Sequence, residues 1–157
     1  MSTTQKQSPF GIGVIAFMIA VGFSLGFYQF AYLPIISAKP VIPEEILEPL
    51  GTKEIMIIVG SADPEQPDNF LPKRVDLQLG IDNLVVWINE DDTAHTVTTD
   101  TEHADQYSGP FDSLSTIGLV KPGEEYEFLF TEIGEFPYHC VPHPWMKGVV
   151  KVTPRKF

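Results

Sequence analysis

The sequence predicts one all-β sandwich domain preceded by a single transmembrane helix. Three observations support this fold class: a 24-residue uncharged apolar run, Phe10–Leu33; short apolar segments of alternating polarity in the second part of the chain; and no long amphipathic helical pattern. We therefore divide the chain into a cytoplasmic N-terminus (1–9), a transmembrane anchor (10–33), a linker rich in proline and glutamate (34–52) and a β domain (53–157).

The apolar run is longer than the roughly 20 residues that a helix needs to cross the hydrocarbon layer. Tyr28 and Tyr32 suit the membrane interface, and Pro34 limits continuation of the helix. A cleaved signal peptide is the competing interpretation, with Ile36-Ser37-Ala38 as a weak cleavage site. Because a signal core spans only about 7 to 15 residues, we expect an uncleaved single-pass anchor in the cell membrane. Lys6 then lies inside, and the β domain lies on the extracytoplasmic side, periplasmic or extracellular.

The chain is strongly acidic, with 21 acidic against 10 basic residues and a net charge of −11. Every acidic residue follows residue 40, so the acidity belongs to the part predicted outside the membrane. Nucleic-acid binding and anionic-lipid binding both depend on clustered lysine and arginine, so we expect no nucleic-acid partner. The chain contains one cysteine, Cys140, which excludes an internal disulfide.

Short β-rich segments make up the second part of the chain. Alternation with period two, as in Val75, Leu77 and Leu79, is typical of strands with one buried face. Turn residues such as Lys121–Glu124 separate these segments, and the proline-containing stretch Ser61–Pro72 is predicted as a surface loop. Together these patterns predict an antiparallel sandwich. The predicted strands are Glu54–Val59, Arg74–Leu79, Leu84–Asn89, His95–Thr99, Tyr126–Thr131, Glu135–Cys140 and Lys147–Val152.

The stretch between the last two predicted strands carries a metal-binding motif. Cys140, His143 and Met146 follow the spacing C-x2-H-x2-M, so one tight loop can direct all three side chains toward one point. A thiolate, an imidazole and a thioether suit copper, because soft sulfur stabilises Cu(I) and imidazole binds either oxidation state. We therefore predict one bound copper ion.

A fourth ligand must come from elsewhere in the chain, and His95, His103 and His139 are the candidates. His95 lies in Asn89-Glu-Asp-Asp-Thr-Ala-His95, at the start of a strand that follows a β-rich segment. His139 neighbours Cys140 on a strand, so alternation turns its side chain to the opposite face. His103 lies among polar residues typical of a solvated loop. We therefore choose His95.

These motifs resemble the cupredoxins, the type 1 blue-copper family that includes plastocyanin and amicyanin. The resemblance covers roughly Lys53–Val152. It rests on Tyr138-His-Cys-Val-Pro-His-Pro-Trp-Met-Lys-Gly148 and on Trp87-Ile-Asn-Glu-Asp-Asp-Thr-Ala-His95. The ligand loop is most similar to the short loop of amicyanin.

The resemblance implies a Greek-key sandwich and a ligand geometry. His95, Cys140 and His143 would form a trigonal set around copper, with Met146 as the weak axial ligand. Many family members place asparagine after the first histidine, where its side chain ties the two ligand loops together, whereas Thr96 follows here. We expect the Thr96 hydroxyl to make a shorter version of that link. We also expect its backbone N–H to donate to the Cys140 sulfur.

Residues of the ligand loop form a candidate patch for a redox partner. Pro142, Pro144 and Trp145 can supply an apolar surface, while packing of Trp145 under the loop is an equally open alternative. Trp87 is expected in the core. The acidic run Glu90–Asp92 is interpreted as a solvated turn rather than a docking surface.

The ligand set favours electron transfer over catalysis, because two histidines, one cysteine and a weak methionine leave no open position for a substrate. A multicopper oxidase needs many paired histidines and a dinuclear oxidase subunit needs a second cysteine, whereas the chain has four histidines and one cysteine. We therefore predict an electron carrier, not an enzyme. Its partners would be redox proteins, such as a cytochrome or a membrane oxidase or oxidoreductase. Copper storage, delivery or sensing, or a role as copper subunit of a membrane redox complex, are the alternatives.

Overall fold

The computed structural model describes residues 9–37 and 41–156. They form two compact units, one that ends at Val41 and one that begins at Ile42. Residues 1–8 of the predicted cytoplasmic N-terminus and residues 38–40 of the predicted linker lie outside the described residues. The location predicted for Lys6 therefore stays a prediction.

The first unit is an almost continuous helix. α1 spans Pro9–Phe27, a π-helical turn spans Tyr28–Tyr32, and α2 spans Leu33–Ile36. The helix passes the expected end of the anchor, because Pro34 lies in the first turn of α2, where a proline is tolerated. Within the described residues, Phe10–Ile36 is the one helical run long and apolar enough to cross a membrane, a test that a signal sequence also passes.

The second unit is a sandwich of two four-stranded sheets with a separate two-stranded ribbon. Strands β1 to β10 span Thr52–Ile57, Phe70–Leu71, Arg74–Gln78, Leu84–Asn89, Thr98–Thr99, Ala104–Asp105, Gly109–Pro110, Glu125–Leu129, Gly134–His139 and Lys147–Thr153. One sheet has the order β2-β1-β4-β8 and the other has the order β3-β10-β9-β5, while β6 and β7 form the ribbon. Single turns of helix, α3 (Glu44–Leu47) and α4 (Ser113–Thr116), lie outside the sheets.

The sheets are mixed rather than purely antiparallel. β1 pairs with β4 in parallel, with Ile55 opposite Trp87, and β10 pairs with β3 in parallel, with Val150 opposite Val75. The remaining pairs are antiparallel, including β9 with β10. Period-two alternation identifies a strand but does not reveal its direction, which explains why the sequence suggested antiparallel pairing throughout.

Two segments differ from the sequence-based expectation. The stretch Ser61–Pro72 is not wholly a surface loop, because Phe70 is fully buried and pairs with Ile57 at the sheet edge. The predicted linker contains α3, whose Ile46 carbonyl accepts a hydrogen bond from the Asn83 side chain at 2.9 Å. The linker therefore contacts the sandwich before the first strand begins.

The core between the sheets is dominated by aromatic rings. Trp87 of β4 is fully buried, as predicted, and its ring lies edge-on to Tyr138 of β9 with centroids 5.5 Å apart. Phe111 packs against Phe128 with centroids 4.8 Å apart. Fully burying a large apolar side chain contributes about 1.5–3 kcal/mol, so this cluster is a principal source of the stability of the sandwich.

Candidate metal centre

Three of the predicted ligands lie in one loop between β9 and β10. Cys140 directly follows β9 and Met146 directly precedes β10, and the pairing of His139 with Lys147 closes the loop. The turn is held by backbone hydrogen bonds: His143 N–H donates to the Cys140 carbonyl at 3.2 Å, and Met146 N–H donates to the His143 carbonyl at 2.9 Å. The spacing C-x2-H-x2-M thus corresponds to one compact turn.

His95 comes from the segment that leaves β4. Its backbone N–H donates to the Val120 carbonyl at 3.0 Å, and Val120 N–H donates back at 2.9 Å. The buried Asn89 amide bonds the carbonyls of Val120 and Thr93, at 2.9 and 2.8 Å, and so fixes the turn before the histidine. As predicted from sequence, the structure brings His95 to the loop that carries Cys140.

The donor atoms of His95, Cys140 and His143 surround one point. The two Nδ1 atoms lie 3.1 Å apart, and each lies 3.6 Å from Cys140 Sγ. A triangle with these edges has a centre about 2.0 Å from every corner, which is the usual length of a metal–imidazole bond and slightly less than that of a metal–thiolate bond. The two imidazoles and the thiol therefore fit a metal ion after a small outward adjustment of the sulfur. Met146, the fourth predicted ligand, is fully buried on the same loop.

Protonation of the centre is coupled to metal binding, because the thiolate and not the thiol is the metal ligand. Burial raises the pKa of the Cys140 thiol, and the hydrogen bond from Thr96 offsets only part of this. Burial and repulsion from His95 lower the pKa of His143, with Asp91 acting in the opposite direction. The metal-free site therefore favours a neutral thiol and a neutral imidazole, and a bound cation would replace the thiol proton.

Thr96 connects the two ligand-bearing segments in the positions that the sequence suggested. Its backbone N–H donates to Cys140 Sγ at 3.3 Å, and its Oγ1 accepts a hydrogen bond from Val141 N–H at 2.8 Å. Thr96 is fully buried. The hydroxyl therefore makes the link between the two ligand-bearing segments that the sequence suggested.

Asp91 is a functional candidate that the sequence reasoning missed. The run Glu90–Asp92 is not simply a solvated turn, because the Asp91 side chain is fully buried and lies 2.8 Å from His95 Nε2. Burial disfavours the ionised carboxyl, but hydrogen bonds from Gly60, His95 and Asp92 hold its pKa below the ordinary value. The sequence did contain a signal for this contact. Asp91 lies four positions before the candidate ligand His95, in a turn that brings the two residues close together.

The other two histidines lie apart from the triangle. His139 Nδ1 pairs with the Asp100 carboxylate, on the opposite face of β9 from Cys140, as alternation predicts. His103 packs its ring against Phe136 with centroids 4.4 Å apart, so it is not a freely solvated loop residue. Among the described residues, only His95, Cys140 and His143 group as a metal-binding cluster of His, Cys, Asp or Glu.

Trp145 both packs and remains accessible. Its ring lies 5.3 Å from the His143 ring, and its Nε1–H donates to the Ser61 carbonyl at 3.1 Å. Its exposed fraction is nevertheless 37%, and Pro142 and Pro144 are exposed beside it. The sequence left open whether Trp145 packs under the loop or forms an apolar surface, and in the structure one side of the indole packs while the other is exposed.

Comparisons with known proteins agree with this geometry. A family model described as copper binding proteins of the plastocyanin/azurin family matches residues 62–153. Amicyanin from Paracoccus denitrificans is 32% identical over 78 residues, which cover 49% of this chain and 54% of amicyanin, so the match spans about half of that relative. A solved structure of a novel purple cupredoxin from Nitrosopumilus maritimus is similar with a TM-score of 0.52 and 26% identity, over 64% of this chain and 99% of that one. The chain therefore belongs to the plastocyanin/azurin family of copper-binding proteins, has the cupredoxin fold and uses copper as its cofactor.

Proposed function

We propose that this chain carries single electrons between redox proteins through one type 1 copper ion. His95, Cys140 and His143 would hold the ion as a trigonal set, with Met146 as the weak axial ligand. The observation that carries this proposal is the triangle of two imidazoles and one thiol, whose edges of 3.1, 3.6 and 3.6 Å already match metal coordination. When bound, copper supplies a one-electron redox couple.

The burial of the ligands supports transfer rather than catalysis. His95, Cys140 and Met146 have no exposed surface, so a substrate has no approach to them. His143 is half-buried and is the one ligand of the four that reaches the surface. An electron can pass through the edge of an imidazole, whereas a substrate needs an open coordination position.

The surface around His143 suits a brief encounter with a redox partner. Val141, Pro142 and Pro144 are exposed, and Trp145 is partly exposed beside them. Small apolar contacts suit weak electron-transfer complexes, which need fast release more than high affinity. A cytochrome or a membrane oxidase or oxidoreductase is the class of partner that we propose.

The helical run Phe10–Ile36 supports a membrane location. It has the length and apolar character of a single span. We propose that it anchors the copper domain to the cell membrane at the extracytoplasmic face. All the acidic residues follow residue 40, so the charge lies in the part of the chain that contacts water.

A spectroscopic experiment tests the copper assignment. The full-length chain, purified in detergent and loaded with Cu(II), should show an intense visible thiolate-to-copper band and a narrow copper hyperfine splitting. Cys140→Ser should abolish the colour and leave the fold intact by circular dichroism. A colourless wild type with a tetragonal copper signal would contradict the assignment and favour copper storage or delivery.

A kinetic experiment separates an electron carrier from a copper store. The wild type should exchange electrons rapidly with itself, measured by line broadening in mixtures of reduced and oxidised protein. Trp145→Asp should slow this exchange, because a charge spoils the apolar patch without removing a ligand. Slow exchange in the wild type, together with ready transfer of the ion to a metal-free acceptor, would support storage or delivery instead.

A further inference from the structure

The buried Asp91 carboxylate connects His95 to the loop that follows β1. Oδ2 accepts a hydrogen bond from His95 Nε2 at 2.8 Å and a longer one from Ala62 N–H at 3.3 Å. Oδ1 accepts from Gly60 N–H and from Asp92 N–H, each at 2.9 Å. Two of the four donors thus belong to the short segment Gly60–Ala62, which is remote in sequence from the ligands.

The contact with Asp91 also fixes the state of His95. Because a carboxylate only accepts hydrogen bonds, Nε2 carries the proton and Nδ1 presents its lone pair to the centre of the triangle. A carboxylate on the far nitrogen of a metal-bound histidine orients the ring and makes the imidazole a stronger electron donor. The stronger donor favours the more highly charged Cu(II) over Cu(I).

The same segment reaches the second imidazole through a different residue. Trp145 Nε1–H donates to the Ser61 carbonyl at 3.1 Å, and the indole packs on the His143 ring. Ser61 is itself fully buried, and its hydroxyl donates to the Asn69 carbonyl at 3.1 Å. The segment is therefore anchored in the fold before it contacts either imidazole.

We propose that Gly60–Ala62 acts as a brace for the copper site, positioning His95 through Asp91 and His143 through Trp145, and that the Asp91 carboxylate lowers the reduction potential of the copper. This inference rests on the proposed ligand set. It assigns a role to Asp91 and Trp145, which contact the two imidazoles, and to the segment that bonds both of these residues.

The first test compares two buried carboxylates in the full-length, copper-loaded chain in detergent. Asp91→Asn keeps the shape of the side chain and removes its charge. Asp105→Asn is the matched control, because Asp105 is also buried and accepts hydrogen bonds from Thr131 N–H at 2.7 Å and Tyr107 N–H at 2.8 Å. Chelator competition would measure the Cu(II) and Cu(I) affinities, and redox titration would measure the reduction potential. Thermal melting of the metal-free chain would measure its stability.

For Asp91→Asn we expect a loss of Cu(II) affinity of about tenfold or more relative to Cu(I). A tenfold difference corresponds to a rise in potential of about 59 mV. Asp105→Asn should lower the melting temperature and leave the potential unchanged. If Asp91→Asn also lowers only the melting temperature, the residue is merely structural and the inference is wrong.

The second test asks whether the two contacts share one support. Trp145→Phe keeps a ring on His143 and removes the Nε1–H donor. In a double-mutant cycle with Asp91→Asn, measured on Cu(II) affinity, a common brace predicts that the two effects are not additive. Additive losses would show two independent contacts and overturn the brace.

One measurement needs no variant and covers the case in which Asp91→Asn does not fold. In the reduced wild type, the Nε2 proton of His95 should give a slowly exchanging imidazole signal in proton NMR, and its absence would overturn the inference. A wild type without the thiolate band would overturn the proposed function and the brace together. A wild type with the band, but with an unshifted potential in Asp91→Asn, would overturn the brace alone.

Discussion

Thr96 Oγ1 accepts a hydrogen bond from the backbone N–H of Val141 at 2.8 Å, and this bond joins the segment that carries His95 to the loop that carries the other ligands. The adjacent N–H of Thr96 bonds the Cys140 sulfur at 3.3 Å. One residue therefore sets both the spacing of the two segments and the polarity around the thiolate.

Replacing Thr96 by valine should destabilise the metal-free protein by about 1–2 kcal/mol, because Val141 N–H loses its partner in a partly buried place. The backbone bond to Cys140 stays, so the visible band should persist with a shifted maximum. Denaturant unfolding and the visible spectrum would measure both effects. Thr116→Val serves as a control, because the Thr116 hydroxyl donates to the Asp112 carbonyl at an exposed position; an equal spectral shift there would contradict the prediction.

Copper binding should release about one proton between roughly pH 7 and pH 8, because the thiol must ionise to become a ligand. The raised pKa of Cys140 keeps the thiol protonated in the metal-free chain, whereas the lowered pKa of His143 means that this imidazole is already neutral. Apparent Cu(I) affinity should therefore rise with pH over this range, by about tenfold per pH unit. Anaerobic chelator competition would measure it, and an affinity independent of pH would show that the thiol is ionised before copper binds.

Replacing Gly148 by alanine should destabilise the sandwich by about 1–3 kcal/mol, the usual cost of overpacking. A Cβ at Gly148 would overlap the ring of Tyr138, which is fully buried and cannot move aside. The matched control is Gly51→Ala, where the nearest atom to a new Cβ is the Ile81 carbonyl oxygen at 3.8 Å. Denaturant unfolding of the metal-free variants should show a lower free energy of unfolding for Gly148→Ala than for Gly51→Ala. Equal free energies of unfolding would contradict the packing argument.

The purified protein should retain its N-terminal apolar segment and remain with the membrane fraction. The expectation follows from the length of the run Phe10–Ile36, which exceeds the core of a signal peptide. Intact-mass spectrometry of protein extracted from membranes would measure it. A mature chain that begins near Lys39 would identify the segment as a signal peptide instead.

The sequence was informative where a residue type and a spacing jointly require one chemistry. Cys140 and His143 lie at a spacing that one turn can close, and the fully buried Trp87 lies at an inward position of an alternating strand. Alternation could not reveal that β1 and β4 run in parallel, because strand direction depends on connections across the whole sandwich. The prolines of Ser61–Pro72 led to the prediction of a loop at Phe70, and a strand of two residues shows no periodicity that would indicate otherwise.

Asp91 illustrates a second limit of the sequence. Acidic residues are usually solvated, and Glu90 and Asp92 on either side of it are in fact exposed. Asp91 is buried because the amides of Gly60 and Ala62, about thirty positions earlier, come to face it. A contact between segments so far apart in sequence depends on the tertiary fold, so the local sequence around Asp91 could not predict it.

The placement of β10 has a consequence for how the protein loses its metal. β10 begins at the end of the ligand loop and lies between β3 and β9, bonded to both. The loop cannot open fully by fraying at a sheet edge, since its downstream end is fixed in the middle of a sheet. Release of copper from the native state should therefore be slow. On heating, the colour should disappear in the same transition as the secondary structure rather than before it.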